Sequence, residues 1–194
     1  MTDRSVSLLR DAFARVYESV PEVLSDLDEE QLAWSPGPHA NPISWLIWHL
    51  ARVQDDHLAG IAGHDQVWLA DGWCERFALP LDPHDIGYGQ TADEVRQVVA
   101  SAGDLQGYYS AVHTRTNEIL DTLTDADFDR IVDERWDPPV TAAIRLVSVV
   151  NDVTQHVGQA AYVRGLLPSG GVPSGGVPSG GVPSGRDPSA GAPF

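Results

Sequence analysis

Apolar residues recur near the start of the chain at Val6, Leu8, Leu9, Phe13, Val16, Tyr17, Val20 and Leu24. Arg4, Asp11, Arg15 and Glu18 fall on the opposite side, so the spacing predicts an amphipathic helix over Ser5 to Leu24. Pro21 predicts a distorted last turn, or one that belongs to the following loop. Leu27 to Trp34 predicts one or two helical turns, stopped by Pro36-Gly37-Pro38. Asn41 then predicts a cap and Pro42 a first turn for a helix reaching about Gly60. Ile47, Trp48, Leu50 and Ala51 occupy one side of it; Trp45, His49, Arg52, Val53 and Asp56 occupy the other. Both sides are partly apolar, as in a helix buried within a bundle.

Residues 61 to 90 read as irregular, with a short helix within Asp65 to Phe77 broken at Gly72. A connection of that length inside a compact domain is commonly functional. Thr91 and Glu94 form a capping box that opens another helix. It is expected to pause at Gly103 and resume over Asp104 to Leu123, with its core stripe on Leu105, Tyr108, Tyr109, Val112, Thr116, Ile119 and Leu120. Asp125 to Pro139 reads as a connector. Val140 to Leu167 is the last helix, apolar along Leu146, Val150, Val153, Val157, Ala160 and Ala161. Four main helices predict an all-α bundle over residues 1–167. From residue 168 to 194 the sequence is a Val-Pro-Ser-Gly-Gly repeat with too few apolar groups for a core, and it predicts a partly polyproline-like tail.

Charge narrows the function. The net charge is −16, and the twelve basic residues are all Arg. An acidic surface of this size argues against binding to nucleic acid or to an anionic membrane. The one cysteine, Cys74, excludes an internal disulfide framework and fits a reducing cytosol. The first residues lack the apolar run of a signal peptide, and no stretch has the ~20 apolar residues that span a bilayer. A cytoplasmic protein is expected. Apolar helix faces and six Trp are compatible with a homodimer.

The chemistry lies in two segments. Asp152 and His156 are four apart and share one face of the last helix. His49 sits in the middle of the strongest helix, between Trp48 and Leu50. Two imidazoles and a carboxylate from two helices would form a three-residue divalent-metal site with open positions. Each has a plainer reading. Arg145, Gln155 and Gln159 share the Asp152 face, which could simply be solvated. His49 could be a core histidine bonded to a backbone carbonyl or a carboxylate. Arg52 and Arg145 are candidates for an anionic substrate or for salt bridges. Asp55 and Asp56 could orient a ligand histidine, and His57 could act beside the metal or merely answer the helix dipole. His39, His64, His84 and His113 read as surface or loop residues.

The segment Asn41-Pro42-Ile43-Ser44-Trp45-Leu46-Ile47-Trp48-His49-Leu50, with Asp152-x-x-x-His156-x-Gly158-Gln159 further on, resembles the DinB-like (YfiT-like) superfamily over about residues 5 to 167. The resemblance implies an up-down-down-up four-helix bundle, often dimeric. It also implies a Zn, Ni or similar ion held by a histidine of the second helix and a His-x-x-x-His pair of the last. Carried over, His49 and His156 are metal ligands, and Asp152 stands where many members have histidine. Zn is the first expectation, with Ni, Fe or Mn also suited to such a set. The branch it most resembles implies a mycothiol-dependent S-transferase, in which a low-molecular-weight thiol is activated as a thiolate and attacks an electrophile. Arg52, Asp56 and His57 are then the candidate catalytic or substrate-contacting residues. The alternatives are a metal-binding bundle without turnover and a metal-dependent hydrolase.

Overall fold

The computed structural model describes residues 4–168, so all of the repeat tail except Pro168 lies outside the described residues. Four long helices make the frame: α1 (Arg4–Leu24), α3 (Ile43–Ala62), α7 (Ala102–Thr122) and α9 (Ala142–Gly165). One-turn pieces join them: α2 (Glu29–Ala33), α4 (Val67–Ala70), α5 (Trp73–Phe77), α6 (Ala92–Val95) and α8 (Asp125–Phe128). A small antiparallel pair, β1 (Ile131–Asp133) with β2 (Val140–Thr141), precedes α9.

Cross-helix contacts fix the directions. Arg10 early in α1 reaches Asn117 and Asp121 late in α7, while Tyr17 meets Tyr109 and His113, so α1 and α7 run antiparallel. Arg164 at the end of α9 bonds the carbonyls of Val23 and Ser25 at the end of α1, so those two run parallel. Ser44 bonds the Val98 carbonyl just before α7, and Asp55 bonds Tyr108 within it, so α3 and α7 also run parallel. His49 faces Asp152 and His156 across an antiparallel α3/α9 seam. The result is the up-down-down-up, all-α bundle.

α3 is the central element because its sequence offers no solvent face over its first three turns. Every residue from Ile43 to Asp55 is buried, including Ser44, His49, Arg52 and Gln54. Phe13, Leu32, Tyr108, Tyr109, Leu146, Val149 and Val153 close around it. Fully burying one large apolar side chain stabilises by roughly 1.5–3 kcal/mol, so the seams of α3 dominate the stability of the bundle. Gln54, one of its buried polar groups, is paired across to α7. Gln54 Nε2 donates to Thr116 Oγ1 at 2.7 Å, and the Tyr109 hydroxyl donates to Gln54 Oε1 at 3.2 Å.

Several boundaries differ from the sequence reading. Pro21 neither ends nor breaks α1, because it forfeits only its own amide bond while Val20, Val23 and Leu24 pack the last turn into the core. Pro42, not Asn41, is the N-cap of α3, with no side-chain cap. The Thr91/Glu94 capping box is present but opens a single turn, α6. The break before α7 falls at 96–101 rather than at Gly103, because Val98 and Ala100 turn into the core and Ser101 starts the new helix. The connector read over Asp125 to Pro139 contains α8 and β1. On α9, Val149 and Val163 are buried, whereas Val150 is half-buried and Ala161 exposed. Among the described residues no helix is long and apolar enough to cross a membrane.

Candidate metal centre

His49 rides in α3 and Asp152 and His156 in α9. One ligand atom from each lies within 4.8 Å of the others. His49 Nε2 is 4.0 Å from Asp152 Oδ1, and His156 Nε2 is 3.6 Å from Asp152 Oδ2. The two imidazoles stand edge to face with centroids 4.7 Å apart. Donors about 2.1 Å from one ion are themselves ~3–3.5 Å apart, so modest side-chain adjustment brings this set onto a shared centre.

Two observations fit such an ion. Asp152 Oδ1 is buried and has no hydrogen-bond partner among the described residues; a carboxylate oxygen in that state is costly unless a cation or donor meets it. Both imidazoles are also tied at the far nitrogen. His49 Nδ1 donates to the Ile86 carbonyl at 2.5 Å, and His156 Nδ1 donates to Gln159 Oε1 at 2.9 Å. In the neutral rings each tie leaves Nε2 as a lone pair on the Asp152 side, the arrangement seen around metal-bound histidines. The plainer reading of His49, a core histidine on a backbone carbonyl, is therefore realised through Nδ1, and Nε2 remains free for ligation.

The surroundings set the electrostatics. Trp45 stacks on the His49 ring at 4.4 Å and 12° and meets His156 edge-on at 5.9 Å. Burial lowers the pKa of His49 despite the Ile86 bond, which acts the other way. At His156 burial acts in the same direction, but Asp152 and Gln159 together outweigh it and raise the pKa. A carboxylate held between two imidazoles is thus already set up to hold positive charge.

The other candidates divide. Arg52 has no exposed surface. It donates to the Asp85 carbonyl at 3.1 Å, Gln66 Oε1 at 2.8 Å and the Pro83 carbonyl at 3.4 Å. It also lies 3.7 Å from Asp55 and sits over the Trp68 ring. Those partners fill its fork, so it fastens the 83–85 backbone to α3. Asp55 likewise does not orient a histidine. It accepts the amides of Val67 and Trp68 at 2.8 Å each, capping α4, and the Tyr108 hydroxyl at 2.9 Å.

Asp56 and His57 do face an opening. Their ion pair, Asp56 Oδ2 to His57 Nδ1 at 3.1 Å, lowers the Asp56 pKa, and Gln66 donates to Asp56 at 2.7 Å. Together with Ile86, Trp136 and Arg145 they line a cavity of about 590 Å³. Arg145 donates to Asp133 of β1 at 2.8 Å, and Arg135 grips the same carboxylate at 2.9 Å; both hold Asp133 well below the usual range. Asp56 lies seven residues after His49, and Arg145 seven before Asp152. The cavity is therefore two turns along the same seam, about 10 Å from the metal cluster, and Ile86 belongs to both.

His39, His64 and His84 are exposed as expected. His113 is not a surface residue: it stacks on Tyr17 at 4.2 Å and 8°, half-buried between α1 and α7. Sequence reasoning missed Ile86, Gln90 and Gly87 in the 83–90 loop. It also gave no role to Trp45 as a stacking partner or to Gln159 as a proton acceptor, although Gln159 stands in the motif that prompted the resemblance.

A family model described as the DinB superfamily matches residues 12–160. Among solved structures, the chain is similar to a crystal structure titled as the conserved protein of a locus from Enterococcus faecalis. Identity is 32% and the TM-score 0.78, covering 82% of this chain and 95% of that one. No curated protein matches.

Proposed function

We propose, for a chain that belongs to the DinB superfamily, that His49, Asp152 and His156 hold a divalent metal ion, Zn first, and that the site conjugates a low-molecular-weight thiol to an organic electrophile. The superfamily is generally metal-binding. The observation that carries the reading is the unpartnered Asp152 oxygen between two imidazoles whose other nitrogens are both tied down.

When bound, the ion would supply Lewis acidity that lowers the pKa of a thiol beside it. The remaining work belongs to the chain. Trp45 stacks on the His49 ring, meets His156 edge-on, and shields that side of the cluster from water. The cavity lined by Asp56, His57, Trp136 and Arg145 is large enough for a small organic molecule and opens on the same seam. There Arg145 offers a positive edge, and the Asp56–His57 pair can accept or hold a proton. Mycothiol is the thiol that the sequence resemblance favours.

The test pairs metal analysis of the purified protein with conjugation of monochlorobimane to mycothiol, bacillithiol and glutathione. In that reaction a sulfur–carbon bond forms as carbon–chlorine breaks, releasing chloride and the thiol proton. About one metal per chain and chelator-sensitive conjugation with one thiol are expected. Metal without any thiol consumption would leave a binding bundle that does not turn over. No metal at all would remove the reading.

A further inference from the structure

The 83–90 loop is strapped to one face of α3 at successive turns. Arg52 holds the carbonyls of Pro83 and Asp85, His49 holds that of Ile86, and Trp45 Nε1 donates to Gln90 Oε1 at 2.7 Å. Asp85 braces the loop internally: Oδ1 accepts the Gly87 amide and Oδ2 the Gln90 side-chain amide, each at 2.7 Å. Gly87 lies at the centre of the strap with φ at +91°, in the left-handed region that L side chains avoid. A Cβ on it would fall 2.6 Å from His49 Nδ1, 3.0 Å from Trp45 Cζ2 and 3.2 Å from Trp48 Cζ3. None of these can swing aside: the His49 ring is buried at 6% exposure, stacked on Trp45, and Trp48 is deep in the core.

We infer that Gly87 is a positioning residue: its bare α-carbon lets the Ile86 carbonyl reach His49 Nδ1, and that contact fixes the ring with Nε2 turned to Asp152. Any side chain at 87 forces one of two changes. Either the loop withdraws and the Ile86 bond is lost, or the imidazole turns and Nε2 leaves its partners. The consequence for an ion rests on the metal reading above; the consequence for the ring does not.

Gly89 supplies the control. It shares the loop and a φ of +75°, but a Cβ there meets nothing within 4 Å. Gly87→Ala and Gly89→Ala therefore carry similar backbone strain, and only the first collides with His49. Zn²⁺ affinity is measured by competition with a chromophoric chelator. The His49 tautomer is read in metal-free protein from long-range ¹⁵N–¹H correlations, at a pH where the imidazoles are neutral. Loss of the partner that orients a ligand histidine typically weakens metal binding about 10–100-fold, so Gly87→Ala is expected to lose tenfold or more and Gly89→Ala to stay within about threefold. The wild-type His49 should carry its proton on Nδ1, and Gly87→Ala should disturb that signature.

Equal losses in both variants, or wild-type affinity and tautomer in Gly87→Ala, would overturn the proposal. A wild-type protein that takes up no Zn²⁺, with the tautomer change still present, would remove the metal reading and leave the positioning role standing. Should Gly87→Ala not fold, Asp85→Ala loosens the same loop without a collision. Severalfold weaker Zn²⁺ binding with a disturbed tautomer then supports the proposal, and no change in either overturns it.

Discussion

Asp152 and His49 face each other at 4.0 Å across the α3/α9 seam, although they belong to different helices far apart in sequence. Among the described residues nothing donates to Asp152 Oδ1, so that buried oxygen is open to a cation. Asp152→Ala should reduce bound metal from about one per chain to near zero by elemental analysis. Asp152→His restores the His-x-x-x-His pair of the resemblance and should keep the metal. At a metal concentration 100 times Kd, binding adds about 2.7 kcal/mol to stability. For a domain of this size that is a rise of about 5–10 °C in Tm, reversed by chelator. Retained stoichiometry in Asp152→Ala would exclude it as a ligand.

Arg52 tests whether its fastening role outweighs any role in catalysis. Removing one partner of a buried charge network typically costs about 3–5 kcal/mol. Arg52→Met should lose stability on that scale in urea, because Asp55 loses its buried cation and the Pro83 and Asp85 carbonyls lose their donor. Arg52→Lys should recover only part, since an ammonium cannot reproduce the guanidinium fork. A loss under about 1 kcal/mol for Arg52→Met would contradict the structural role assigned to it.

His113 gives the fold a pH dependence. Burial, and then the neighbouring Arg10 charge, lower its pKa from the ordinary value of 6.5. The unfolded chain therefore takes up the proton at higher pH than the folded one, so this contribution is fully present above about pH 6.5 and is lost as pH falls below it. Asn117 donates to Nε2 at 3.0 Å, which places the neutral ring's proton on Nδ1, where nothing among the described residues accepts it. His113→Phe keeps the stack on Tyr17 and removes the titration. Measured by urea unfolding, wild type should lose more stability than the variant between pH 7 and pH 5. Parallel losses would refute the assignment.

His57 separates ligation from substrate handling. It lies in the cavity two turns from the cluster, where its partner is Asp56. His57→Gln should leave metal content unchanged and lower kcat/KM for thiol conjugation about 100-fold if the Asp56–His57 pair moves a proton. A wild-type kcat/KM would show that the pair is only structural.

The helices and the cluster were legible because each element carries its own periodic signal. His49 stood in an apolar helix with no solvent face, and Asp152 and His156 shared a face by spacing alone. The resemblance supplied what spacing could not, that those two faces meet. The unforeseen parts depend on contacts between distant segments. Nothing local to Arg52 says that Pro83, Asp85 and Gln66 consume its donors. The β1/β2 pair is only a few residues long and alternates too briefly to register, yet it delivers Asp133 to Arg145. Asn41 and Pro42 looked like a cap and a first turn, but the first helical bond already accepts at the Pro42 carbonyl.

The antiparallel seam also behaves as a ruler. His49 faces Asp152, and seven residues along each helix Asp56 and Arg145 share the cavity, so the two levels keep one antiparallel register. One extra residue in α3 between 49 and 56 would leave the ion cradle in register and rotate the cavity wall by about 100°. On the proposed reading, selectivity and ion capture are separately adjustable: a library varied at 56, 57, 133 and 145 would search for new acceptors while the level of His49 and Asp152 stays as it is.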